Sequence, residues 1–294
     1  ENLSRYRIVV AGQTSDLVPA DGKLYALRDV TATVGSYPLI ASSIMSKKLA
    51  VGAKFIVFDV KMGRGAFMKT RREADKLARI LIDLAKSLDR RATALISDMN
   101  QPLGYAVGNS LEVKEALDTL RGAGPDDFTS HCLNMGTQML LLTAQENDEA
   151  AARARLRQLL HTGEALDKFR DLVKAQGGDP APVDNPALLP QAPIEHTVKS
   201  PQDGHISELD ALTVGLAAAD LGAGRQKKGE PVDHAVGVLL NAKIGDHVSK
   251  GDALATIHAR SSEEAELAEE RLLQGYAWGQ DRVKPPPLLY DVVH

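Results

Sequence analysis

The chain has 294 residues, 44% of them hydrophobic and 25% charged, with a formal net charge of -4. That length can bury a substantial core in one large or two ordinary domains, and the composition is that of a globular protein. A mildly acidic chain without a basic run offers no electrostatic footprint for nucleic acid or a membrane surface, and no apolar stretch is long enough to span a bilayer. The single cysteine, Cys132, excludes an intrachain disulfide framework, fits a cytoplasmic protein and reads as a small buried hydrophobe. The N-terminal residues carry no signal-peptide pattern, and residue 1 is Glu rather than Met, so the chain is expected to be part of a longer gene product.

In chain order, the β-branched run at residues 6–11 predicts a buried strand, and residues 12–21, with Pro19, read as a loop. A turn-rich segment carrying Arg28 leads to a helix with Pro38 in its first turn, Ser36 as cap and Gly52 after its end. Residues 54–60 form a continuous apolar run typical of a parallel strand. Leu77, Ile80, Leu81 and Leu84 give residues 71–88 the period of an amphipathic helix. A strand at 92–97, a helix at 109–120 and a helical region at 127–175 complete an α/β pattern with a central mixed, mainly parallel sheet. Five prolines and two glycines between 177 and 193 mark a linker. Short alternating runs and two Gly-Asp turns then predict a C-terminal β-rich α+β domain, with a last helix at 263–273 and a short apolar tail. Residues 243–256 look somewhat like half of a biotinyl or lipoyl domain, but the Met-Lys-Met attachment turn is missing, which argues against a carrier role.

Four-residue helical spacing stacks Leu39, Ser43 and Lys47 on one stripe beside Ile40 and Ile44. With Arg28 they offer a planar donor fork, a point charge and a hydroxyl, a set suited to a small planar ligand rich in carbonyl oxygens. The plainer alternative is a solvated helix face. The loop at 62–67 follows a strand and precedes a helix, where glycines bring backbone donors to an anion or simply make a tight turn. The eight histidines show no metal-ligand spacing, and no Ser-His-Asp arrangement emerges.

The segment Leu-Arg-Asp-Val-Thr-Ala-Thr-Val followed by Ser-Ile-x-x-Lys-Lys closely resembles the signature of the pyrimidine-nucleoside and thymidine phosphorylases. The resemblance runs from Gly12 to Val293, through Val-Lys-Met-Gly-Arg-Gly-Ala-Phe-Met, the Gln-Pro-Leu-Gly loop and Asp-His-Ala-Val-Gly. It implies that Arg28, Ser43 and Lys47 hold the pyrimidine ring, with Arg28 and Lys47 as the catalytic pair and Val34 and Phe67 as apolar walls. It also implies a potassium ion on the carbonyls of Leu103 and Ala106 and on Glu115, oxygen donors of the kind a hard cation requires. The division expected is residues 1–19 opening the α/β domain, 20–51 from a small helical lobe, 52–176 the α/β domain, 177–195 a linker and 196–294 the C-terminal domain.

The implied activity is reversible phosphorolysis of uridine, thymidine and deoxyuridine, with phosphate as co-substrate, in a cytoplasmic homodimer. Alternatives are a strict thymidine phosphorylase, more weakly an anthranilate phosphoribosyltransferase-like enzyme, and a non-catalytic nucleobase-binding fragment. The last arises because the family's phosphate-binding Lys-x-Ser region and base-contacting histidine have no counterpart in these residues.

Overall fold

Ile56, Phe58, Val60 and Met62 are buried on alternate positions of β1 (Phe55–Met62), so one face of this strand points into the core. The computed structural model, which describes residues 2–12, 17–31, 33, 35–225 and 230–294, pairs it in parallel with β2 (Arg91–Asp98) from Phe55 opposite Arg91 to Met62 opposite Asp98. The crossover between them is helix α4 (Arg71–Ser87), and its sequence explains both its start and its facing. Thr70 accepts a hydrogen bond from Glu73 N–H while Glu73 accepts from Thr70 N–H, a reciprocal capping box. Ala74, Leu77, Ala78, Leu81, Ile82 and Ala85 then bury one stripe against the sheet.

The apolar tail, β10 (Leu289–Val293), returns to pair antiparallel with β2, which makes this three-stranded sheet mixed in the order β1-β2-β10. The last residues of the C-terminal region thus complete the first sheet.

Upstream, two expectations are corrected. Residues 6–11 form no strand: the chain opens with helix α1 (Asn2–Tyr6), and Val9 and Val10 are exposed. Val10 exchanges its N–H and C=O bonds with the side-chain amide of Gln176, which takes the place of a neighbouring strand. The loop and turn-rich reading around Arg28 also gives way, because residues 19–30 are helix α2 (Pro19–Val30), with Pro19 at its start. Helix α3 (Tyr37–Ala50) follows with Pro38 in its first turn and Gly52 in the left-handed region just beyond it, as expected; the Ser36 side chain makes no cap bond. Ala41 and Met45 of α3 join the core formed by β1, β2 and α4, whereas α2 leaves Leu24, Tyr25 and Leu27 exposed.

Strand β3 (Ala106–Val107) precedes helix α5 (Asn109–Leu120), whose bounds match the sequence reading. Helices α6 (Asp126–Leu142), α7 (Glu149–His161) and α8 (Glu164–Ala175) complete the helical region. Cys132 lies exposed on α6, against the expectation of a buried site. The linker contains a short helix, α9 (Ala181–Asp184), and a single 3-10 turn at Pro186–Leu188.

Beyond it, β4 (Ile194–Lys199), β5 (Gly204–Leu209), helix α10 (Ala211–Asp220), β6 (Gly237–Leu240), β7 (His247–Val248), β8 (Ala253–Ala259), helix α11 (Ser262–Gln274) and β9 (Tyr276–Gly279) form the β-rich region. The sheets run β3-β6-β8-β4 and β7-β5-β9 around a second core containing Val198, Ile206, Val238, Leu254, Ile257 and Leu272. Because β3 belongs to this second sheet, the loop before it is attached to both parts of the chain. Among the described residues no helix is long and apolar enough to cross a membrane.

Candidate functional site

Helices α2 and α3 lie against each other and bring Arg28, Ser43 and Lys47 into one cradle. Arg28, in the last turn of α2, is buried; its guanidinium lies 5.3 Å over the Tyr25 ring and donates from Nη1 to the Leu39 carbonyl of α3 at 3.4 Å. Ser43 is buried one helical turn before Lys47, and the ammonium donates to both the Ser43 carbonyl and its hydroxyl at 2.9 Å.

A fourth residue completes the group and was not singled out from sequence. The Asp21 carboxylate, 8% exposed, receives the Lys47 ammonium at 2.6 Å and the Ser43 hydroxyl at 3.1 Å, both on Oδ2. Burial pushes this carboxyl up, but the bonds from Lys47 and Ser43 and the charges of Lys47 and Arg28 outweigh it and hold the group below its usual range. Asp21 stands seven residues before Arg28, two turns up one face of α2. Reading residues 19–30 as a helix would have exposed that relationship.

Phe67 is not in this cradle. Its ring, 75% exposed, lines a groove of about 490 Å³ with Ile40, Ile44 and Lys48, reached from a different face of α3 than Ser43 and Lys47. Val34 lies outside the described residues. The glycine loop before Phe67 is a tight turn: Gly63 N–H donates to Met68 O, Arg64 N–H to Asn100 Oδ1, Gly65 N–H to Met99 O and Ala66 N–H to Gly63 O. Those donors are spent within the protein and form no anion cradle. Gly63 is required because a Cβ there would lie 2.6 Å from Asn100 N at φ +130.

On the same groove, Asp59 and Lys61 of β1 meet His131 of α6. Asp59 Oδ2 accepts from Lys61 at 2.9 Å and from His131 Nε2 at 2.8 Å, while Oδ1 accepts from the Ser97 hydroxyl. Burial acts to raise the Asp59 pKa, yet the His131 bond, the Lys61 charge and the Ser97 bond bring it down to about 2.

The loop carrying Leu103 and Ala106 is held from both sides. Glu115 Oε1 accepts from the N–H groups of Tyr105 (2.8 Å) and Ala106 (3.1 Å), and burial leads a net rise in its pKa. Gly104, at φ +70, lets the backbone pass the other carboxylate oxygen, from which a Cβ would be only 2.1 Å away. From the opposite side the buried Lys243 ammonium donates to the carbonyls of Pro102 (2.8 Å) and Gly104 (2.9 Å) and to Asp127. Nothing in the local sequence marks Lys243, whose partners lie far away in the chain. Among the described residues no group of three or more His, Cys, Asp and Glu side chains is placed to hold a metal ion.

The chain is similar to known proteins along nearly its whole length. Residues 1–166 match the family described as the glycosyl transferase family, a/b domain, and residues 205–278 match the pyrimidine nucleoside phosphorylase C-terminal domain. The chain is 47% identical over 291 residues to a pyrimidine-nucleoside phosphorylase of Geobacillus stearothermophilus, an alignment covering 99% of this chain and 67% of that protein. It is 51% identical over 257 residues to the Bacillus subtilis (strain 168) protein of that name, covering 87% and 59% of the two chains. With the Staphylococcus aureus (strain USA300) pyrimidine-nucleoside phosphorylase it shares 46% identity over 287 residues, covering 98% and 66%. The chain thus spans about 59–67% of the length of these curated relatives. With both family regions matched in order and close identity along nearly its whole length, the chain belongs to the pyrimidine-nucleoside phosphorylases, a family of pentosyl-transferring glycosyl transferases.

Proposed function

We propose that the protein carrying this chain catalyses reversible phosphorolysis of pyrimidine nucleosides, with uridine, thymidine and deoxyuridine as substrates. The observation that carries this reading is the gathering of Arg28, Ser43 and Lys47 in one cradle between α2 and α3. A phosphate oxygen bonds to the anomeric carbon as the bond from that carbon to pyrimidine N1 breaks, and its electron pair leaves with the base. The products are the free base and a (deoxy)ribose 1-phosphate. Negative charge then spreads over the ring carbonyls, where the Arg28 and Lys47 cations act as donors and Ser43 fixes the ring's orientation. Phosphate is itself the nucleophile, so no side chain of this cradle has to act as a general base.

Val34 and Phe67 are proposed as apolar walls. Phe67 reaches the ring by closure of the α2–α3 lobe about its connections near Pro19 and Val51, which also excludes water. A potassium ion fits the oxygen donors of Leu103, Ala106 and Glu115. The adjacent carbonyls of Pro102 and Gly104 are already committed to Lys243, and Glu115 is a half-buried carboxylate whose raised pKa an added cation would lower. The ion would supply fixed positive charge that orders the loop. We further propose a cytoplasmic homodimer; the exposed Leu24, Tyr25 and Leu27 on α2 support a covering partner.

Calorimetric titration with uracil and thymine tests the reading. Saturable binding should be weakened about a hundredfold by Lys47→Ala, corresponding to a lost charged donor of about 3 kcal/mol. Binding indifferent to that substitution would refute the assignment.

A further inference from the structure

Asp21 is bonded to two members of the cradle, and the direction of those bonds sets what the cradle can recognise. A serine hydroxyl has one hydrogen and two lone pairs. The Ser43 hydrogen goes to Asp21 Oδ2 and one lone pair accepts from Lys47, so what Ser43 has left to offer a ligand is an acceptor. Lys47 beside it can only donate. An incoming ring therefore meets an acceptor next to a donor.

Uracil and thymine present the complement, an N3–H donor flanked by carbonyl acceptors. Cytosine presents the reverse on that edge, an unprotonated N3 next to an amino donor. We propose that Asp21 is a positioning residue that sets base specificity: by taking the Ser43 proton and anchoring the Lys47 ammonium, it makes the cradle read the imide edge of uracil and thymine and reject aminopyrimidines. This rests on the reading of Arg28, Ser43 and Lys47 as the pyrimidine site.

Asp21 stays in place when the base arrives. Its bond to Lys47 is charge-assisted, short and partly buried, whereas the ammonium's other acceptors, the Ser43 carbonyl and hydroxyl at 2.9 Å, are neutral. A ring carbonyl displaces a neutral acceptor at far less cost than it displaces a carboxylate. Without Asp21 the hydroxyl is free to turn its hydrogen outward and donate to cytosine N3.

The test is calorimetric titration of the 294-residue chain with uracil, cytosine and 3-methyluracil, for the wild type, Asp21→Ala, Asp21→Asn, Asp21→Glu and Lys47→Ala. The wild type should prefer uracil over cytosine and over 3-methyluracil, which lacks the N3–H, by about a hundredfold or more. Asp21→Ala and Asp21→Asn should bring the uracil-to-cytosine ratio below about tenfold, and Asp21→Glu should restore part of it. A merely structural role would weaken all three bases in proportion and leave the ratio unchanged, which overturns the proposal. So does a wild type that binds cytosine or 3-methyluracil as well as uracil, a result that needs no variant to fold. In both cases the site reading survives if Lys47→Ala abolishes binding, whereas uracil binding that ignores Lys47→Ala removes the reading and the proposal together.

Discussion

The Lys243 ammonium and the Asp127 carboxylate meet at the seam between the C-terminal sheets and the start of α6, with the carbonyls of Pro102 and Gly104 on the same ammonium. A buried cation with three oxygen partners is an anchor whose loss leaves several polar groups uncompensated. Lys243→Met keeps an apolar stem and removes the ammonium with its charge and its bonds to Pro102, Gly104 and Asp127. It should cost about 3 kcal/mol and lower the urea midpoint by roughly 1 M. A midpoint within experimental error of the wild type would show that the loop is held by its other contacts alone.

The start of α4 offers a smaller and separable effect. Thr70→Ala removes the side chain that accepts from Glu73 N–H. The expected loss is about 1 kcal/mol, seen as a lower melting temperature, with uracil binding unchanged because the Thr70 cap bonds only Glu73 and none of Asp21, Arg28, Ser43 and Lys47. An unchanged melting temperature would mean that water replaces the cap at no cost.

Two glycines make opposite predictions. At Gly237, φ is +155 and a Cβ would lie 2.4 Å from the Val107 carbonyl, at the point where β6 pairs with β3. Gly237→Ala should cost more than about 2 kcal/mol and open the loop at 101–108 to proteolysis. At Gly215, inside α10, a Cβ meets nothing within 4 Å. Gly215→Ala should stabilise the protein by about 0.5–1 kcal/mol in the same denaturation assay.

What the sequence reveals here follows the range of the interaction. Helix α4 is legible because its capping box and apolar stripe lie within a dozen or so residues. The stripe of Ser43 and Lys47 is legible for the same reason, and the family signature adds Arg28. Residues 6–11 mislead because a β-branched run becomes a strand only if another strand lies beside it, and here a glutamine side chain does instead. Asp21 and Lys243 are hidden because their partners stand 26 and about 140 residues away, a pairing that no local pattern encodes. The tail at Leu289–Val293 is apolar enough to be a strand, yet only the fold decides which sheet receives it.

The Asp59 cluster ties stability to pH in a direction that can be worked out in advance. In the folded protein the carboxyl titrates at about 2, against an ordinary value of 3.8, because His131, Lys61 and Ser97 together more than offset its burial. The unfolded chain therefore takes up a proton that the native state resists. Asp59 contributes its full stabilisation above the unfolded value and loses it as the pH falls from about 4 towards 2. The shift corresponds to about 2 kcal/mol. In Asp59→Asn the charge partner of Lys61 is gone at every pH, so this contribution is absent throughout. Urea denaturation of the two proteins should show the wild type ahead by about that amount at pH 6, with the gap narrowing steadily below pH 4. If the gap is constant down to pH 2.5, the advantage of the aspartate comes from its shape and neutral hydrogen bonds, and the charge contributes nothing.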